Sequence, residues 1–132
     1  MASEWLWMPH TAHFICGKEC QFHLATYVNG VIVSTVGELW FDSQVREILA
    51  HTRGIRLEGR GEARSADYQH KIGFQELGVG RLYESMVFRA EAQPDQRCCP
   101  YRIVVDEEVD MQGYNDPGEA MQGHYALCKK WQ

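Results

Sequence analysis

Residues 21 to 38 read QFHLATYVNGVIVSTVGE, two runs rich in β-branched and aromatic residues on either side of Asn29-Gly30. Asn-Gly supplies the positive φ that both central positions of a type I′ turn require, so the stretch marks a β-hairpin with a two-residue loop. Such a loop sets the register. Val28 faces Val31, Thr26 faces Val33, Leu24 faces Thr35 and Phe22 faces Gly37, with Tyr27/Ile32, Ala25/Ser34, His23/Val36 and Gln21/Glu38 on the other side. The first set is expected to face the core, and the hairpin to form the centre of the fold.

Working outward toward the N-terminus, residues 12–16 suit a short strand, and Gly17-Lys18 suits a type II′ turn into Cys20. That reading makes a three-stranded meander in which His13 faces Phe22, and Cys20 shares a face with Ile15 and Phe22. Before it, Trp5, Leu6, Trp7 and Met8 form an apolar cluster ahead of Pro9. Tryptophan buries a large area, so the cluster is expected to dock on the body; an exposed aromatic binding patch is the functional alternative.

On the C-terminal side, residues 39–41 finish a strand, and Asp42 or Ser43 can cap a helix with Val45, Ile48, Leu49 and Thr52 at helical spacing and Gly54 as its stop. Residues 55–72 read as a strand fragment, a Gly-Arg-Gly loop and a short helix ending at Gly73. Residues 82–90, LYESMVFRA, form a strand with Leu82, Met86 and Phe88 on one face and Tyr83, Ser85 and Val87 on the other. Residues 101–105 give another strand, followed by an acidic loop, DEEVD. The last helix opens on Asp116-Pro117-Gly118-Glu119, an N-cap, a proline at N1 and a glutamate at N3. Met121, His124, Tyr125, Cys128 and Trp131 occupy one of its sides. The expected fold is therefore α+β: an antiparallel sheet of about five strands organised on the central hairpin, with two or three helices, the C-terminal one packed on the sheet.

With 132 residues, 45% of them hydrophobic, residues 1–132 suit a single domain around one core. Eighteen acidic against 13 basic residues leave a formal charge of −5, which argues against a general nucleic-acid or anionic-membrane surface. The N-terminal MASEWLWMPH carries neither a basic n-region nor a long apolar stretch, and no later run has the length of a membrane span, so a cytoplasmic protein is expected. Five cysteines without an export signal read as reduced thiols or occasional metal ligands.

For chemistry, the sharpest pattern is a Cys/His set for tetrahedral zinc, Cys16, Cys20, His124 and Cys128, with His10, His13 and His23 nearby in sequence. Against it, Cys16 and Cys20 have three intervening residues instead of two, and the expected hairpin aims them at opposite faces. His124 and Cys128 equally suit packed core positions. Gly59-Arg60-Gly61 and Gly78-Val79-Gly80 lack the lysine and the strand–turn–helix setting of a phosphate loop, and no nucleophile elbow is present. Glu38, Glu58, Glu62, Glu76 and Glu84 suit solvated edges better than a catalytic carboxylate pair. Charge is also uneven. Arg53, Arg56, Arg60, Arg64 and Lys71 make residues 52–71 locally basic, whereas residues 106–119 carry Asp106, Glu107, Glu108, Asp110, Asp116 and Glu119 with no basic residue. An acidic run beside Tyr114 suits contact with a basic partner, including a protein surface that normally holds nucleic acid; a solvated loop leading to a helix N-terminus is the plainer alternative.

The stretches HFICGKECQFHLATYVNGVIVSTVGEL at 13–39, LYESMVF at 82–88 and GYNDPGEAMQGHYALCKKW at 113–131 resemble, in the same order, a group of small proteins encoded by tailed phages and prophages. The resemblance implies a phage or prophage origin and carries no catalytic residue with it. Two function classes follow. The first is a non-catalytic accessory protein without a cofactor, acting by protein–protein binding in the host cytoplasm through Asp106, Glu107, Glu108, Asp110 and Tyr114. Its expected partner is a host protein complex, such as a defence nuclease or CRISPR surveillance complex that it inhibits. The second is a small zinc-binding module or metal-dependent enzyme built on Cys16, Cys20, His124 and Cys128.

Overall fold

A computed structural model describes residues 4–13, 20–39, 76, 77, 80–95 and 97–132. Strands β1 (Trp5–Trp7), β2 (Cys20–Val28), β3 (Val31–Leu39), β4 (Tyr83–Ala92) and β5 (Tyr101–Tyr114) form one antiparallel sheet in that spatial order, and helix α1 (Pro117–Trp131) packs on one of its faces. Among the described residues α1 is the one helix, and none is long and apolar enough to cross a membrane. The helix expected over residues 45–52 and the shorter one ending at Gly73 lie outside the described residues.

The hairpin has the register its turn dictates. Val28 pairs with Val31, Thr26 with Val33, Leu24 with Thr35 and Phe22 with Gly37. Asn29 and Gly30 sit at φ 41° and 86°, the left-handed values of a type I′ turn. β3 is the middle strand. All its residues except Glu38 are buried, which corrects the expectation of a single core face: the sheet is covered on both sides. On the first side, Val28, Val31, Val33 and Val87 meet Leu127 and Cys128 of α1. On the second, Met8, Ala25, Ile32 and Cys99 pack together with Tyr27, Tyr101 and Ile103. A central strand buried on both faces reads as a near-continuous run of β-branched and small residues, as VIVSTVG does.

Two further expectations change. The free edge of β2 is taken by Trp5–Trp7, with Trp5 opposite Val28 and Trp7 opposite Thr26. His13, expected to face Phe22 from a strand at 12–16, lies outside any strand and instead reaches the second face of the sheet; residues 14–16 are not among those described. On the opposite edge, β5 does not stop at Val105 but continues to Tyr114, so the acidic stretch belongs to a strand.

α1 begins as the sequence indicates. Asp116 is its N-cap and accepts a hydrogen bond from the Glu119 amide at 3.1 Å, with Pro117 in the first turn. Ala120, His124, Leu127 and Cys128 are its buried residues, one stripe at helical spacing. Close approach of the helix to the sheet needs Gly123, because a methyl group there would collide with the Tyr114 ring; Gly37 makes the same allowance for Tyr83.

Candidate functional site

The acidic segment is set by an irregularity in the pairing of β4 and β5. Val87 pairs with Asp110 and Phe88 with Glu108, but the next pair is Ala90 with Ile103. Four residues of β5, Val104 to Glu107, therefore stand against Arg89 alone, and the pairing is broken by a bulge where Asp106 and Glu107 lie. Val105, Asp106, Glu107 and Glu108 are all exposed, Val105 to 62%. Among the described residues no ion pair engages Asp106, Glu107 or Glu108, which lie on the last strand of the sheet.

Asp110 is placed differently. It accepts from Lys130 Nζ at 2.7 Å and from Trp131 Nε1 at 3.0 Å, tying the end of α1 to β5. The Lys130 hydrogen bond, opposed by partial burial and helped by Trp131, holds its carboxyl below the usual range. Tyr114, expected beside the acidic run at the surface, is buried under Gly123 and Ala120. Its hydroxyl lies toward Ser85 without a hydrogen bond of good geometry, and burial raises it above the usual phenol range. Asp110 and Tyr114 therefore support the fold, and the exposed acidic group reduces to Asp106, Glu107 and Glu108.

The Cys/His set does not assemble. Cys20 is disulfide-bonded, which corrects the expectation of a reduced thiol there and removes it as a thiolate ligand; Cys16 lies outside the described residues. His124 has both ring nitrogens satisfied, Nδ1 with Thr35 Oγ1 at 2.6 Å and Nε2 with Thr26 Oγ1 at 2.9 Å. Thr35 Oγ1 in turn lies 2.5 Å from Ser85 Oγ. Burial, with a smaller effect from the charge of His23, lowers His124 from 6.5 to about 4, so the ring is neutral at pH 7. Burial likewise pushes the Cys128 thiol up to about 11, despite a hydrogen bond from Thr26. A neutral, fully packed thiol one turn from a satisfied imidazole is a core pair. Among the described residues no group of three or more His, Cys, Asp or Glu could hold a metal ion.

Sequence reasoning missed a second buried polar cluster, on the opposite face. His13 Nδ1 lies 2.7 Å from Ser34 Oγ and its Nε2 3.3 Å from Glu84 Oε1, while the His13 amide donates to Ser34 Oγ at 3.1 Å. An ionised carboxylate can only accept, so the ring tautomer that fits these partners has its proton on Nε2, toward Glu84, and accepts from the Ser34 hydroxyl at Nδ1. The row Ser34–His13–Glu84 has the composition of a nucleophilic triad, but Ser34 is wholly buried and out of reach of a substrate. It serves as an anchor. With the Met8 amide bonded to the Ala25 carbonyl and His23 Nε2 donating to the Thr11 carbonyl, it holds residues 8–13 over the sheet. A cavity of about 270 Å3 opens beside this segment, lined by His10, Thr11, His13, Gln93, Arg102 and Ile103. The Arg102 guanidinium is already held by Glu91 through two hydrogen bonds, at 2.6 and 3.0 Å. By the register read from the sequence, Ser34 falls on the side away from the expected core face, and nothing local links it to His13 or Glu84.

The N-terminal aromatics do not bury fully. Trp5 stacks on Tyr125 of α1 and donates from Nε1 to Gln132, while Trp7 remains 62% exposed.

No family model, curated protein or solved structure matches the chain.

Proposed function

We propose that the chain is a non-catalytic binding protein of phage or prophage origin whose β5 bulge meets a basic surface on a host protein complex. A defence complex that handles nucleic acid is the proposed target, because its cationic grooves complement an acidic projection and inhibition requires only their occupation. The observation that carries the reading is the placement of Asp106, Glu107 and Glu108. All three are exposed and, among the described residues, in no ion pair; Asp106 and Glu107 lie in the four-against-one irregularity and Glu108 pairs with Phe88 at its edge, whereas Glu91 and Asp110 are held by Arg102 and Lys130. The His13 and His124 rings are taken up by the buried hydroxyls of Ser34, Thr26 and Thr35 and by Glu84.

The test is charge reversal. Asp106→Lys, Glu107→Lys and Glu108→Lys together should abolish capture of the host partner that the parent retains and flatten the salt dependence of any residual binding. Melting temperature should stay within about a degree, since exposed charges contribute little to folding. Asp110 is left intact because it anchors Lys130 and Trp131. Isotherms of parent and variant that overlay at two salt concentrations would remove β5 from the interface.

A further inference from the structure

The adjacent Cys98 and Cys99 lie in the loop between β4 and β5, and their environments differ sharply. Cys98 is exposed; Cys99 is buried against Met8, Ala25 and Ile32. Their sulfurs are 3.3 Å apart, with Cys98 donating to Cys99. We propose that the pair is a thiol–disulfide exchange centre, with Cys98 as the entry sulfur for small disulfides and Cys99 as the sulfur that resolves the mixed disulfide.

Three features support this assignment. Accessibility separates the roles: a small disulfide reaches Cys98, while Cys99 is screened from solvent but lies within reach of Cys98 Sγ. The surroundings of Cys99 also suit a thiolate. Burial alone would raise its thiol, but hydrogen bonds from the Thr11 hydroxyl, the Cys98 thiol and the backbone of His10 and Thr11 outweigh it and hold it below its ordinary value; the bond given to Cys99 raises Cys98. Finally, the loop is held in place. Gln93 donates from Nε2 to the Cys99 carbonyl at 2.6 Å and to the Tyr101 carbonyl at 3.3 Å, and its amide bonds to the Pro100 carbonyl at 2.7 Å.

The chemistry balances as two exchanges. Cys98, losing its proton to solvent, attacks one sulfur of RSSR; a Cys98–R disulfide forms and RS⁻ leaves to take up a proton. Cys99, its proton likewise lost to solvent, then attacks Cys98 Sγ as the thiolate, the Cys98–R bond breaks and the second RS⁻ departs to take up a proton. Two protein thiols are oxidised to one disulfide while RSSR is reduced to two RSH, and a dithiol reverses both steps. Neighbouring Cα atoms across a trans peptide are about 3.8 Å apart, below the roughly 4.4–6.8 Å usual for a disulfide, so the closed form is strained and easily reduced. No cis peptide occurs among the described residues. Strained, accessible disulfides are the labile kind, suited to exchange and not to lasting cross-linking.

Because Cys99 receives its hydrogen bonds from His10 and Thr11, oxidation changes the sulfur to which the segment over the second face is bonded. The probe is an aromatic disulfide, dithiobis(nitrobenzoate), added to native protein whose Cys20 disulfide is left intact. The parent should release two equivalents of thionitrobenzoate, the second in a concentration-independent phase. It should end two hydrogens lighter in mass, with peptide mapping placing the bond between Cys98 and Cys99. Cys99→Ser should release one equivalent and keep the aromatic adduct on Cys98. Cys98→Ser should react at least about tenfold more slowly, its remaining thiols being buried. A parent that keeps the adduct on Cys98, or a Cys98→Ser variant that reacts as fast as the parent, would overturn the assignment. The parent and Cys98→Ser suffice to decide it should Cys99→Ser fail to fold.

Discussion

Lowering the pH should unlock α1 from the sheet at His124. The ring titrates at about 4 in the folded chain against 6.5 when exposed, because burial between Thr26 and Thr35 disfavours its charged form. A base whose folded value is depressed leaves stability untouched above 6.5. Between 6.5 and 4 the unfolded chain takes up a proton that the folded chain refuses, so stability falls by about 1.4 kcal/mol for each pH unit; below about 4 the loss is complete, at about 3 kcal/mol. For a domain of this size that is a large fraction of the total. Urea unfolding at pH 7 and at pH 4 measures it, with His124→Gln as the comparison, since glutamine offers a donor and an acceptor without a titrating group. The variant is expected to start less stable at pH 7 but to lose about 3 kcal/mol less than the parent on acidification. Asp110, which accepts from Lys130, contributes its own loss only as the pH falls below the ordinary carboxylate value of 3.8, and does so in both proteins. Parallel losses in parent and variant across this window would refute the argument that His124 is held neutral by burial.

Other perturbations act on the frame. Asn29→Pro should lower stability by at least about 2 kcal/mol and the melting temperature with it, because proline's φ near −65° cannot replace the 41° of the turn; a variant melting with the parent would dismiss the turn as the source of register. Gly123→Ala should cost about 1–3 kcal/mol by overpacking against the Tyr114 ring, and truncating that ring in Tyr114→Leu should relieve part of the cost in a double-mutant cycle; simple additivity would contradict the contact. Cys128→Ala should cost about 1–2 kcal/mol in chemical denaturation, equally with and without chelator, as a packed thiol does; chelator sensitivity of the parent that the variant lacks would restore the metal reading.

What was legible in the chain was local. Asn29-Gly30 carries its own backbone geometry, so the pairs from Val28/Val31 to Phe22/Gly37 followed from the turn alone. Asp116, Pro117 and Glu119 mark the start of α1 through groups that satisfy one another within a single turn. Pairings that close over longer separations were not legible. The free edge of β2 had competing apolar neighbours in residues 5–7 and 12–16; the Gly17-Lys18 turn signal favoured the second, and nothing local joined residues 5–7 to it. The second buried face followed from β3 being the middle strand, a property of the whole sheet. At the candidate site, composition identified the acidic run, but the bulge that holds Asp106 and Glu107 depends on register across β4, and the diversion of Asp110 to Lys130 and Trp131 depends on where α1 ends. The hydroxyls of Thr26 and Thr35 meet His124, and that of Ser85 meets Thr35, only because three strands and the helix converge there.

Amide hydrogen exchange on the complex with the captured host partner tests the proposed interface most directly. Partner binding is predicted to slow exchange in β5 around residues 103–109 and to leave Trp5–Trp7 and the exposed side of α1 near Tyr125 unchanged. Protection confined to Trp5–Trp7 and Tyr125, with β5 exchanging as in the free protein, would contradict the acidic bulge as the contact surface and move the interface to the aromatic edge of the sheet.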